Sequence, residues 1–225
     1  MDGASYDLKD GNLCVACHRE LSDHRSYITE RTVMNSSWGP HHGPQGDMLI
    51  GSNGYEYAGY TYEQSNHRSV TAEGCVGCHM KTTGQNVIGG HSLNMVWSGD
   101  GSEVLNTAAC ENENCHGVIG DFNEVGLGTP YAQDSVDVLI ADLGARLVAA
   151  RLMAFGVPRS MTTSADSAGA VWNFMLVKRD RSHGVHNPKY IVGLLRSAIE
   201  YLRGPLPGLT ATHAQRAISG AKGSR

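Results

Sequence analysis

Several things are scarce in this chain of 225 residues. Aromatics make up only 7% and include just three Phe, so a core built mainly on large rings is excluded. Charged residues are 18%, the net charge is −4 and the pI is near 6.2, which leaves no basic excess for binding nucleic acid. No apolar run is long enough to span a membrane: the most apolar window, 138–157, is interrupted by Asp142, Arg146 and Arg151. The start also lacks a cationic region followed by an apolar one. Asp2 and Asp7 stand there instead, so the numbering is expected to be that of a mature chain. Cysteine is limited to six, and no cysteine is left over once the pairs below are assigned.

Those six fall into three close pairs, each followed at once by histidine: Cys14-Val-Ala-Cys17-His18, Cys75-Val-Gly-Cys78-His79, and Cys110-Glu-Asn-Glu-Asn-Cys115-His116. C-x-x-C-H is the attachment signature of c-type haem. Two thiols add to the two vinyl groups along one porphyrin edge, and the adjacent imidazole reaches the iron. The third pair has four intervening residues, a wider spacing that still spans the edge. A zinc site or a thioredoxin-like pair is the alternative. Neither requires histidine directly after the second cysteine, and the thioredoxin-like motif occurs once, near a βαβ pattern absent here. The expectation is therefore three covalent haem c groups on Cys14, Cys17, Cys75, Cys78, Cys110 and Cys115, with His18, His79 and His116 as proximal iron ligands.

Glycine is abundant at 28, most of it before residue 131. Three porphyrins would supply the apolar bulk that the aromatics do not. The expected fold is a mostly irregular, loop-rich haem-wrapping part over 1–130, with little β structure. About three α-helices follow over 131–204, then an extended tail over 205–225, all in one domain. Tyr55, Tyr57, Tyr60 and Tyr62 alternate as in a short hairpin. Asp134-Ser135 offers a cap for a helix carrying Val136, Leu139, Ile140, Leu143, Leu147 and Ala150, ended by Gly156 and Pro158. A second helix is expected from Ser164 or Ala165. A third starts at Asn187-Pro188, where Asn caps and Pro fits the first turn, and stops at Gly204-Pro205.

Three of the eleven histidines lie in the motifs, leaving eight. A second axial ligand on each iron needs three of them. His67 lies shortly before Cys75. His91 follows a glycine pair, His41 and His42 sit between two Gly-Pro turns, and His186 precedes a helix start. These five are the distal candidates. His24, His183 and His213 have no rigid presentation, and Met48, Met80 and Met95 are lesser alternatives. A spare histidine could serve a haem in a neighbouring copy.

Trp38-Gly-Pro-His-His-Gly-Pro-Gln-Gly-Asp-Met48, Gly54-Tyr-Glu-Tyr57, the middle motif with Met80 and Gly-Gly-His91, and Asp180-Arg-Ser-His-Gly-Val-His-Asn-Pro188 resemble segments of secreted multihaem c-type cytochromes. The last is also similar to a segment of pentahaem ammonia-forming nitrite reductases in which the histidine before Asn-Pro is a haem ligand, which implies that role for His186. The chain departs from those enzymes in having three sites and no C-x-x-C-K. The nearer resemblance is to filament-forming extracellular cytochrome nanowire proteins of bacteria and archaea. It implies stacked bis-His haems, and ligation by a histidine of the next subunit in a homopolymer. The expected function is electron transfer without catalysis, at an extracellular or cell-surface location, with the periplasm as second choice. Redox proteins or extracellular acceptors would be its partners. The rivals are a small multihaem reductase of a nitrogen or sulfur oxyanion with one open iron, and a monomeric periplasmic electron shuttle.

Overall fold

The computed structural model describes residues 6–70, 73–111, 115–124 and 132–203. The first part is built from single helical turns joined by irregular chain. In order come α1 (Asn12–Val15), α2 (His24–Tyr27), strand β1 (Thr32–Met34), α3 (Gln45–Ile50), α4 (His67–Val70) and α5 (Cys75–His79). A hairpin of β2 (Val96–Gly99) and β3 (Ser102–Leu105) follows. Three longer helices complete the fold: α6 (Ala132–Ala149), α7 (Ala165–Asp180) and α8 (Pro188–Arg203). Between α6 and α7 lie β4 (Met153–Ala154), β5 (Val157–Pro158) and β6 (Met161–Thr163). β6 pairs antiparallel with β1, with Val33 opposite Thr162. The loop-rich reading with three C-terminal helices holds, and among the described residues the sheets are two-stranded only. Among the described residues no helix is long and apolar enough to cross a membrane.

The main core lies on the three long helices. Val136, Leu143 and Leu147 of α6, Val171, Trp172 and Leu176 of α7, and Tyr190, Ile191, Leu194 and Leu195 of α8 are completely buried. Each such side chain contributes about 1.5–3 kcal/mol by leaving water. Met34, Trp38, Met48 and Tyr57 come in from the first part, so the loops are fastened to the helices by their own apolar residues. Met48 thus packs in the core. α7 begins where Ser164 caps it, its hydroxyl accepting from Ser167 N. It ends at Arg181, whose φ of 60° puts it in the left-handed region and turns the chain into the loop 182–187.

Four expectations need correction. α6 begins at Ala132, so Asp134 and Ser135 lie inside it and do not cap it. α6 ends at Ala149, short of Gly156, because Arg151, with φ 59°, reverses the chain into the β4–β5 hairpin; Ala150 is exposed. The tyrosine run forms no strand. The N–H groups of Tyr55 and Tyr57 go to Asn173 Oδ1 and Tyr62 Oη, so no cross-strand ladder uses them. The stretch after His79 is less irregular than its glycines suggest, since it carries the β2–β3 hairpin. His213 and the expected tail lie outside the described residues.

Candidate functional site

The first two cysteine motifs form helical turns, α1 and its continuation to His18 and the whole of α5, and the three motifs converge. Gly11, at the start of α1, lies against the start of α5: a Cβ there would come within 3.0 Å of both Cys75 N and Glu73 O. A side chain there would push the two turns apart by a few tenths of an ångström. Burial, and then the charge of the neighbouring Cys14 thiol, push the Cys75 thiol above the ordinary value. Burial likewise raises Cys78, with Cys115 the next contributor. Burial pushes Cys110 up to about 11, followed by the charges of Cys78 and Cys115. The middle motif therefore has one sulfur beside the first pair and the other near the third. None of the six cysteines is in a disulfide.

Six histidines have Nδ1 held by an acceptor, and four of these are motif histidines or candidate partners for them. His79 Nδ1 is 2.9 Å from Leu93 O, His67 Nδ1 2.7 Å from Val185 O, and His18 Nδ1 3.0 Å from Gln45 Oε1. His186 Nδ1 is 2.6 Å from Asp180 Oδ1. A carbonyl or carboxylate oxygen can only accept, so Nδ1 carries the hydrogen and the Nε2 lone pair remains available to a metal. Burial holds both His67 and His79 below the ordinary histidine pKa, favouring the neutral imidazole that ligation requires. Burial works against a charged His186, yet Asp180, through its charge and hydrogen bond, keeps that group above the ordinary value.

The rings come in pairs drawn from distant sequence. His79 and His186 have centroids 6.3 Å apart at 43°, and His67 and His116 lie 5.9 Å apart at 81°. A metal–imidazole bond is about 2 Å, so two imidazoles on opposite sides of one metal have centroids separated by roughly 6 Å. Each pair contains one motif histidine and one histidine from elsewhere. The donor set and its spacing thus fit an iron porphyrin attached through the adjacent cysteines. Among the described residues no group of three or more His, Cys, Asp or Glu gathers as a metal cluster would require.

His18 differs. It is exposed, and among the described residues no imidazole faces it at that spacing. α3 docks directly on its motif: Gly46 N donates to His18 O at 2.8 Å, and a Cβ on Gly46 would meet Val15 Cγ1 at 2.6 Å. Gln45 Nε2 in turn donates to the carbonyls of Arg179 and Asp180, tying His18 to the end of α7.

The other candidates are scattered. His41 and His42 are exposed with rings 6.3 Å apart, as sequence neighbours. Gly43 brings their loop to Cys17 O and the His18 backbone. His91 is exposed in a short turn two residues before the Leu93 carbonyl that holds His79. His24 has a definite setting, its Nδ1 3.2 Å from Asn53 Oδ1 and its ring beside Tyr55 and Trp172. His183 pairs at 2.7 Å with exposed Asp137. Two residues of this site were not anticipated from sequence, Gln45 and Asp180, because their role depends on contacts with imidazoles made only in the fold.

The chain matches no family model and no solved structure. It is similar, at 32% identity over 90 residues, to the C-type polyheme cytochrome OmcC of Geobacter sulfurreducens, a match that takes in 34% of this chain and spans only 12% of that protein's length.

Proposed function

We propose that this protein is a multihaem c-type cytochrome that transfers electrons and carries out no catalysis of its own. The observation that carries the reading is the pairing of His79 with His186 and His67 with His116, each beside a cysteine pair. The likeness to a polyheme cytochrome supports the same class. Haem c, bound through Cys14 and Cys17, Cys75 and Cys78, and Cys110 and Cys115, supplies reversible one-electron chemistry at iron. The chain fixes everything else. The cysteine turns would set where each group sits, the Nδ1 partners orient His18, His67, His79 and His186, and the paired imidazoles would keep small molecules from the iron. In this reading His79 and His186 serve the middle site, His116 and His67 the third.

The contacts of Cys75 and Cys78 with different neighbours support an order in which the middle site relays between the first and third. Among the described residues no ring faces His18 at the spacing of the other two pairs, while His41, His42 and His91 are exposed. This combination favours ligation between copies, with one copy's exposed histidine completing the first site of the next. Such a heterologous contact extends into a filament where its rotation does not close into a ring. Thioether attachment takes place outside the cytoplasm, so the protein acts at the cell surface or beyond it, with the periplasm as the second choice.

An intact mass with three added haems, together with carbon monoxide exclusion by the reduced assembled protein, is the expected result. One equivalent bound after dissociation into monomers marks the first site. Fewer than three haems would overturn the reading, and gas binding by the intact assembly would replace it with a reductase that has an open iron. A monomer that excludes the gas would leave a soluble shuttle in its place.

A further inference from the structure

The Nδ1 partners are not alike. His67 and His79 are held by backbone carbonyls and His18 by a side-chain amide, all neutral. His186 alone of the four is held by a carboxylate. Asp180 has a fully buried side chain, and no lysine or arginine pairs with it among the described residues. Its Oδ1 lies 2.6 Å from His186 Nδ1, and its Oδ2 accepts from the Ser182 hydroxyl. That hydroxyl oxygen also accepts from Gly184 N at 3.3 Å and His186 N at 3.2 Å, so the loop after α7 is wound around the pair. The charge is thus fixed in place and screened from water.

A carboxylate on Nδ1 draws that proton toward itself and leaves Nε2 more electron-rich than a carbonyl partner does. An iron bonded to such an imidazole is more strongly stabilised when oxidised, and a buried, uncompensated negative charge nearby acts in the same sense. From this geometry we infer that Asp180 is a positioning and tuning residue that makes the His79–His186 site the lowest in potential of the three. The inference rests on the proposed pairing of those two histidines across one iron. It gives the relay a built-in energetic step at its middle, which the three cysteine motifs taken alone do not predict. Asp180 has a second link as well, because its backbone carbonyl holds the Gln45 amide whose oxygen faces His18.

The test is spectroelectrochemical titration of the three-haem protein. In Asp180→Asn the amide oxygen can still accept from Nδ1, so the ring keeps its orientation while the charge is removed. One of the three one-electron steps, the lowest, should move upward by about tenfold in its oxidised-to-reduced ratio, about 59 mV for one electron. The other two should stay within error. Ser182→Ala removes the donor that draws charge from Asp180 Oδ2, and should move the same step downward. Spectra of both variants should remain low-spin with three haems by mass, which separates tuning from loss of a ligand. Three unshifted steps, or equal shifts in all three, would overturn the inference while leaving the haem assignment standing. A wild-type protein lacking three low-spin haems would overturn the assignment itself. If the Asn variant does not accumulate, an unshifted Ser182→Ala protein is enough to reject the inference.

Discussion

His79 and His186 face each other 6.3 Å apart, one closing the short turn α5 and the other standing just ahead of α8. Two elements distant in sequence thus meet at a pair of rings, and under the proposed ligation replacing either ring should expose one iron face. In His186→Ala the reduced assembly should bind one equivalent of carbon monoxide that the native assembly excludes. His67→Ala should do the same at the third site, and the double variant should bind two. Gas titration by absorbance reads the stoichiometry. A His186→Ala assembly that still excludes the gas would show that His186 does not close that face.

Asn187 should matter for stability more than its neighbours. It is fully buried. Its Oδ1 accepts from Ser65 N at 2.9 Å and Tyr190 N at 3.4 Å, and its Nδ2 donates to Gln64 Oε1 at 2.7 Å and Leu49 O at 3.4 Å. Asn187→Ala strands those groups in the interior and should cost about 2–4 kcal/mol in denaturant unfolding. A cost under about 0.5 kcal/mol, the range of ordinary surface changes, would show that the network carries little.

The tyrosine cluster should make the fold sensitive to alkali. Burial, and then the charge of Asp166, hold Tyr57 far above the ordinary phenol value. Burial also raises Tyr55, and it pushes Tyr60 up to about 12. The folded state therefore keeps protons that the unfolded chain releases near pH 10. Stability from these groups is fully present below pH 10 and is lost as pH climbs toward their folded values. Urea unfolding between pH 8 and 11.5 should show that decline. Tyr57→Phe should flatten it while giving up the bond from Tyr57 Oη to Asp166 O. An unchanged slope in the variant would contradict the assignment.

The features legible in the sequence were those whose cause is local. The cysteine pairs declare themselves by spacing, Ser164 caps α7, and the periodic apolar residues of α7 and α8 are buried. Asn187 and Pro188 open α8 because one side chain caps and the other needs no N–H. The end of α6 was not legible, because nothing in Arg151 announces a positive φ. The β2–β3 hairpin did carry a signal, Asp100-Gly101 between Trp97 and Val104, a dipeptide suited to tight turns. Which histidines face each other was out of reach. His67 stands opposite His116, and its Nδ1 is held by Val185 O from a loop more than a hundred residues on.

α5 is five residues long, and its first cysteine lies beside Cys14 while its second lies toward Cys115. One added residue inside that turn would rotate everything after it by about 100°, swinging Cys78 and His79 away from their neighbours at once. A single helical turn therefore works as the gauge that keeps the outer motifs in line, and an insertion tolerated almost anywhere else on this loop-rich surface would put the two ends of the molecule out of register here.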